Sequence, residues 1–461
     1  MSLLLTSRTL HYATLTTLYS KITIPHSRIF HKFLTHIAAH PPLGTIVRRL
    51  DFCHFNPAQL FSTAAERSQA RNLTSETLLQ CLELTPNLQE FLAQEYLDDD
   101  LNAAVLQKLF LGFPQMMAID FCGCTSTAFK ESFSSIISSD WPRELSVRRL
   151  SLHKCLTLPS SVLETILPRL TRLTHLDVAG TRVTDSALAS IPPSARITHL
   201  NLAKCTLLSA RGVIDFLANH PAARELQFLS LATDARSHQL FSAEHLAELL
   251  PLLPSTLKSL SIKGSKMEPS HIDLLRPLTK HLEELALGRS LTLADVNRLF
   301  VPDEPAGGDG NTNDDDAVAM QVDWVPHTLR YLDLSDFWGS ELDLVYLFGS
   351  GCALLKSYSE PLEVVELAED VLRRVSKSAP ALARMGWRLS ECGMRAWMVR
   401  DPAPGALGSG GGGGGNGVGA RKDDGRRGWK MGAESWGMRK IPVAKAEVGG
   451  MYGSFMFGRK L

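Results

Sequence analysis

Cysteines and histidines are the side chains in this 461-residue sequence best suited to hold a metal or to attack an electrophile, so their spacing is tested first. The cysteines stand at Cys53, Cys81, Cys122, Cys124, Cys155, Cys205, Cys352 and Cys392. Only Cys122 and Cys124 are close, as a lone Cys-x-Cys, whereas a structural zinc site needs paired Cys-x-x-Cys or mixed Cys/His ligands. In HSRIFHKFLTHIAAH (26–40), His36 and His40 are one helical turn apart, as in a zinc helix. The glutamate of H-E-x-x-H is missing there and no further ligands follow, so His31, His36 and His40 read as a solvated face. Ile29, Phe33 and Ile37 are the expected buried stripe of that helix.

Other chemistry fails on the same kind of test. The acidic stretch 303–323, DEPAGGDGNTNDDDAVAMQVD, has no glutamate in register with Asp309, Asp314 or Asp316 to close a calcium loop. Its composition predicts a disordered acidic insertion. The glycine run within 401–428 is not followed by G-K-[ST], so it is a flexible linker rather than a phosphate loop. No G-x-S-x-G and no clustered acid, base and nucleophile occurs. The sequence predicts no catalytic site, no cofactor and no metal.

The elements that carry these residues are set by a repeat. L-x-x-L-x-V stands at Leu173, Leu176 and Val178, and again at Ile197, Leu200 and Leu202. Further copies are Val147/Leu150/Leu152, Leu226/Leu229/Leu231, Leu257/Leu260/Ile262, Leu282/Leu285/Leu287 and Leu329/Leu332/Leu334, with looser ones at Val47/Leu50/Phe52, Leu88/Phe91/Ala93 and Met116/Ile119/Phe121. Successive copies begin 41, 28, 31, 26, 24, 29, 31, 25 and 47 residues apart, mostly near the period of a leucine-rich repeat. Each copy is a short strand with inward aliphatic side chains, followed by a return segment of helical spacing. SVLETILPRL (161–170) and SAEHLAELLPLL (242–253) are such segments, each behind a serine N-cap candidate. The expected fold is an α/β leucine-rich-repeat solenoid, a curved horseshoe with parallel strands on the concave face and helices on the convex face.

Cys124, Cys155 and Cys205 each fall three residues after the second strand aliphatic, in FCGC, LHKC and LAKC. This arrangement resembles the cysteine-containing, fungal-type leucine-rich repeat of F-box receptors, over about residues 46–345. Thr181 and Ser265 depart from it at the same site. LLLTSRTLHYATLTTLYSKITI (3–24) is similar to the final helix of an F-box and the extended segment that leads into the repeats. The leucine-proline start of such a motif does not precede it here. The resemblance implies a Skp-type adaptor and a cullin complex as partners, with a protein substrate on the repeats.

The chain is thus expected to comprise an F-box-tail-like helical cap (1–45), the solenoid with its insertion (46–345), a helical C-terminal cap (346–400), the linker (401–428) and a basic aromatic tail (429–461). An eleventh copy fits Leu362, Val365 and Leu367, but Ser359 as cap and Pro361 after it favour helix over 359–389. In the tail, Trp429, Lys430, Trp436, Arg439 and Lys440 are candidates for fold-back, partner docking or RNA contact. Forty-eight basic and forty-eight acidic residues cancel, which removes any global pull toward nucleic acid or membrane. The scattered cysteines and the lack of a long apolar run predict a reduced protein of the cytoplasm or nucleus, with no membrane partner.

Strand periodicity places Asp51, Asp120, His153, His175, Asp177, His199, Asn201, Ser230, Ser261, Lys263, Tyr331 and Asp333 on the concave face, with Arg49 and Arg149 beside them. Such a face suits a polar protein partner. The leading expectation is a substrate-recognition subunit of an SCF-type E3 ubiquitin ligase. The alternatives are a repeat scaffold without a ligase role and an RNA-associated factor acting through the tail.

Overall fold

The computed structural model describes residues 7–52, 55, 73–93, 96–233, 239–301, 326–337, 341–392 and 395–400. Two compact units divide the chain, Met1–Glu225 and Leu226–Leu461. The insertion 303–323, the linker 401–428 and the tail 429–461 lie outside the described residues.

In the first unit the strands are β1 (Lys21–Thr23), β2 (Arg49–Asp51), β3 (Glu90–Leu92), β4 (Ala118–Asp120), β5 (Arg149–Ser151), β6 (His175–Asp177) and β7 (His199–Asn201). They pair in parallel, each with the next in chain order. Each is only three residues long, so one side chain points inward and two point outward. The inward residues Leu50, Phe91, Ile119, Leu150 and Leu176 are fully buried. Parallel neighbours need a crossover, and helices such as Ala103–Leu111, Thr127–Ile136 and Ala210–Asn219 supply it. Asn102, Ser126 and Ser209 cap these three through side-chain oxygens that accept a backbone N–H.

The second unit holds β8 (Phe228–Ser230), β9 (Ser259–Ser261), β10 (Glu284–Ala286), β11 (Tyr331–Asp333) and β12 (Val364–Leu367), again parallel in chain order. It ends in an antiparallel hairpin of β13 (Trp387–Cys392) and β14 (Arg395–Arg400), with β14 laid against β12. Trp387 anchors the hairpin, its indole N–H donating to Leu355 O at 2.8 Å.

Strands β2 to β11 fall on the ten sequence copies, and the leucine-rich-repeat fold is what both units display. The turn that follows five of these strands repeats as well. Gly123, Lys154, Gly180, Lys204 and Gly264 each precede the turn residue and all have positive φ, the two lysines at 57°. The following side chain is buried in every case: Cys124, Cys155, Thr181, Cys205 and Ser265. Cys155 Sγ donates to Phe121 O at 3.2 Å and Cys205 Sγ to Val178 O at 3.1 Å, carbonyls of the preceding repeat. The thiol therefore ties one repeat to the one before it.

Three expectations are corrected. Residues 346–400 are not a helical cap: the eleventh copy forms strand β12, because Val365 and Leu367 continue the buried ladder beside β11. Ser359 caps no helix there; its hydroxyl donates to Leu354 O at 2.7 Å. Strand β1, joined to β2, lies at the end of the 3–24 segment, where an extended stretch after the first helix was expected. The helix Ser27–Ala39 buries Phe30, Phe33, Leu34 and Ile37, while Ile29 is only half-buried. His31, His36 and His40 are on its exposed face. Ser242 caps its helix through a capping box with His245, but the helix Ser160–Ile166 starts after Pro159 with no side-chain cap.

Candidate protein-recognition surface

Each repeat presents two outward side chains, one on either side of the inward aliphatic, and these form columns across neighbouring strands. In the first unit one column runs Arg49, Glu90, Ala118, Arg149, His175, His199. The other runs Asp51, Leu92, Asp120, Ser151, Asp177, Asn201.

The second column has a backbone task. Asp120 Oδ1 accepts the N–H of Cys122 at 2.8 Å, Asp177 Oδ1 that of Ala179 at 3.0 Å, and Asn201 Oδ1 that of Ala203 at 3.1 Å. Asp333 Oδ1 accepts the N–H of Ser335 at 2.9 Å in the second unit. These are Asx bonds two residues on, which close the strand exit. Four of the residues expected to face a partner therefore also stabilise the turn beneath it.

The first column brings charges of both signs together, whereas the charged residues of the second are all acidic. Glu90 accepts from Arg49 and Arg149, one guanidinium on each of its carboxylate oxygens. His153 Nδ1 lies 3.1 Å from both carboxylate oxygens of Asp177. His175 and His199 stack face to face, ring centroids 4.0 Å apart and planes within 6°. The hydroxyls of Thr174 and Thr198 donate to Arg148 O and Thr174 O. The same hydroxyl oxygens lie within hydrogen-bond distance of ring Nδ1, 2.9 Å for Thr174 with His175 and 2.8 Å for Thr198 with His199. Burial, and then the adjacent His175 ring, push the pKa of His199 down to about 2, so that ring stays neutral. His153 and His199 are themselves buried, so Arg149 and His175, both half-buried, are what this stretch of the column leaves at the surface.

In the second unit Lys263 Nζ approaches Asp333 at 3.3 and 3.4 Å and also donates to Ser335 Oγ. Burial works against the Lys263 charge, but the carboxylates of Asp333, Glu366 and Asp336 outweigh it and hold the ammonium above its ordinary pKa. Tyr331 donates its hydroxyl to Glu366, which also accepts from the Trp397 indole at 3.3 Å. Ser230 and Ser261 pair on adjacent strands.

The expected residues thus fall into two sets. His175, Asp177, His199 and Asn201, with Asp120 and Arg149 alongside, gather on β4 to β7, and His153, in the turn two residues past β5, reaches Asp177. In the second unit Lys263, in the turn after β9, reaches Asp333, which like Tyr331 is a buried residue of β11, while Asp51 stands on β2, separated from Asp120 by Leu92. Sequence reasoning passed over Glu90, Glu366 and Trp397. Glu366 occupies the same template position as Asp333, one repeat on, and the copy it belongs to was visible at Leu362, Val365 and Leu367. The tail candidates Trp429, Lys430, Trp436, Arg439 and Lys440 lie outside the described residues. Among the described residues no group of three or more His, Cys, Asp or Glu side chains is placed to hold a metal, and no helix is long and apolar enough to cross a membrane.

Strand, turn and returning helix, repeated through both units, define a leucine-rich-repeat protein. Its sequence is similar to the F-box protein YLR352W of Saccharomyces cerevisiae, with 31% identity over 241 residues. That match takes in 48% of this chain and 30% of the relative, so the chain spans less than a third of the protein it resembles. No protein-family model matches. Among solved structures, the yeast Rad7 and Elc1 complex is similar at 13% identity with a TM-score of 0.39, covering 68% of this chain and 76% of that one. The leucine-rich-repeat protein LegL7 of Legionella pneumophila stands at 17% identity and a TM-score of 0.34, covering 67% of this chain and 83% of that one.

Proposed function

We propose that this chain is a non-catalytic, protein-binding subunit that presents a substrate to an SCF-type ubiquitin ligase in the cytoplasm or nucleus. The observation that carries the reading is the sequence match to an F-box protein over a repeat fold whose outward strand face is polar. The helix Arg8–Ser20, similar to the last helix of an F-box, supports it further: it buries none of its own residues and exposes Leu10, Tyr12 and Leu18. Exposed aliphatic and aromatic side chains on a helix with no buried residue of its own suit a partner protein. In this reading that helix meets a Skp-type adaptor and, through it, a cullin. The substrate lies across the column from Arg149 to His199.

The test is co-purification of the tagged full chain with adaptor and cullin. Adaptor in stoichiometric amount is expected, and Leu10→Asp with Leu18→Asp should remove it while leaving the repeat fold intact by circular dichroism. A chain that retains protein partners yet recruits no adaptor would be a scaffold without a ligase role, and the proposal would fall.

A further inference from the structure

The turns that leave β5, β6 and β7 carry a second surface, distinct from the strand face. Backbone bonds stack these turns directly: Lys154 N–H donates to Ala179 O and Gly180 N–H to Ala203 O, both at 2.7 Å. At the strand spacing of about 5 Å, Lys154 and Lys204 stand roughly 10 Å apart along this rim. Leu156 is 57% exposed and Leu207 44%, unlike the core leucines around them. Arg182 and Lys204 are exposed and Lys154 is half-buried. A Cβ at Gly180 would lie 3.2 Å from Leu156 Cδ2 and 3.7 Å from Lys154 Cγ. The glycine leaves space into which both side chains lean. Asp185, the acidic residue among loop residues 154–160, 180–185 and 204–209, is turned onto Ser209, accepting from its N–H at 3.0 Å and its hydroxyl at 2.6 Å.

Lysine is an odd choice at positions 154 and 204. Their φ of 57° is left-handed, a conformation that costs a lysine free energy and a glycine almost nothing. The equivalent positions 123, 180 and 264 are glycine. A side chain kept against a backbone penalty indicates a task at the surface.

We propose that this rim, Lys154, Leu156, Arg182, Lys204 and Leu207, docks a segment of a partner protein that carries acidic and aliphatic side chains together. The three cations select carboxylates, and the two leucines select an apolar residue between them. A phosphate backbone would leave the leucines without a counterpart, and the rim residues include no aromatic ring on which a base could stack. The inference stands independently of adaptor binding, since the helix Arg8–Ser20 takes no part in it.

Selection of random linear peptides on the immobilised full chain tests this. Acidic sequences containing Leu, Ile or Val are expected to enrich. The best synthetic peptide is then titrated by fluorescence anisotropy against wild type, the Lys154→Gly/Lys204→Gly pair and the Leu156→Ser/Leu207→Ser pair. The lysine pair should bind about tenfold more weakly, with affinity falling as salt rises. Its melting temperature should be unchanged or higher, because glycine relieves both turns; a purely structural role for the lysines would not separate binding from stability. Enrichment of non-acidic peptides, wild-type affinity in either paired variant, or oligo-dT binding with the same residue dependence and no peptide binding would each overturn the proposal.

Discussion

Replacing Gly264 by alanine should cost far more than the same change at Gly180, although both are left-handed turn glycines in the same template position. Gly264 has φ +81°, and a Cβ there would lie 2.3 Å from Thr233 O and 2.5 Å from Thr233 Oγ1. The carbonyl belongs to a backbone whose own N–H is already bonded to Lys263 O at 2.8 Å, so it has nowhere to yield. The left-handed conformation costs alanine about 1 kcal/mol. Forcing the two turns apart resembles overpacking and adds about 1–3 kcal/mol, so Gly264→Ala should lose about 2–4 kcal/mol. At Gly180 the nearest atom is the end of the exposed Leu156 side chain, 3.2 Å away, which can rotate aside. Only the backbone cost of about 1 kcal/mol remains there. Lys204→Gly runs the comparison backwards, since relief of the turn is partly offset by a more flexible unfolded chain, and should change stability by less than about 1 kcal/mol. Urea unfolding followed by far-ultraviolet circular dichroism measures all three. Equal losses at Gly180 and Gly264, or a large loss from Lys204→Gly, would refute this account of the turns.

Cys155 and Cys205 should resist a soluble thiol reagent until the protein unfolds, because both are buried and burial pushes Cys205 to about 12; rapid labelling of the native chain would contradict their placement. Cys205→Leu should lose about 1–3 kcal/mol by overpacking the turn, and Cys205→Asn less, since its amide can donate to Val178 O as the thiol does. His199 takes a proton near 6.5 when unfolded but only near 2 when folded. The unfolded state therefore binds more protons in that window, stability falls as pH falls, and the drop from about pH 7 to about pH 5 should be roughly 2 kcal/mol, flattened in His199→Gln. Lys263→Met strands the buried Asp333 carboxylate and should destabilise by about 3 kcal/mol in thermal unfolding; a neutral result would show that the pair adds nothing.

The repeat was legible in the sequence because inward aliphatics such as Leu176 and Leu200 recur at a fixed distance from a turn residue that must be small and buried. Regions where that regularity is broken were read less well. Strand β12 was masked by Ser359 and Pro361, which imitate a helix start, although Val365 and Leu367 keep the strand pattern. Phe30 was passed over because alternation by three and four steps from Phe33 fits Ile29 almost equally. The outward columns followed from strand periodicity alone, and so His175 and His199 were placed on one face without any sign that their rings stack. Pairings such as Glu90 with Arg149 depend on register across two intervening ladders, which no local pattern encodes.

The Asx bonds of the outward face bear on how such a protein can change what it recognises. Asp120, Asp177, Asn201 and Asp333 are held to short polar side chains by the turns they close. Mutation at these sites trades a contact against the geometry of the turn, so these four positions are poorly free to drift. Arg49, Ala118, Arg149, His175 and His199 carry no such backbone bond through a carboxylate or amide, and their types already range from methyl to guanidinium. New specificities should therefore arise in that column first, like text rewritten on alternate lines of a page whose other lines are ruled in.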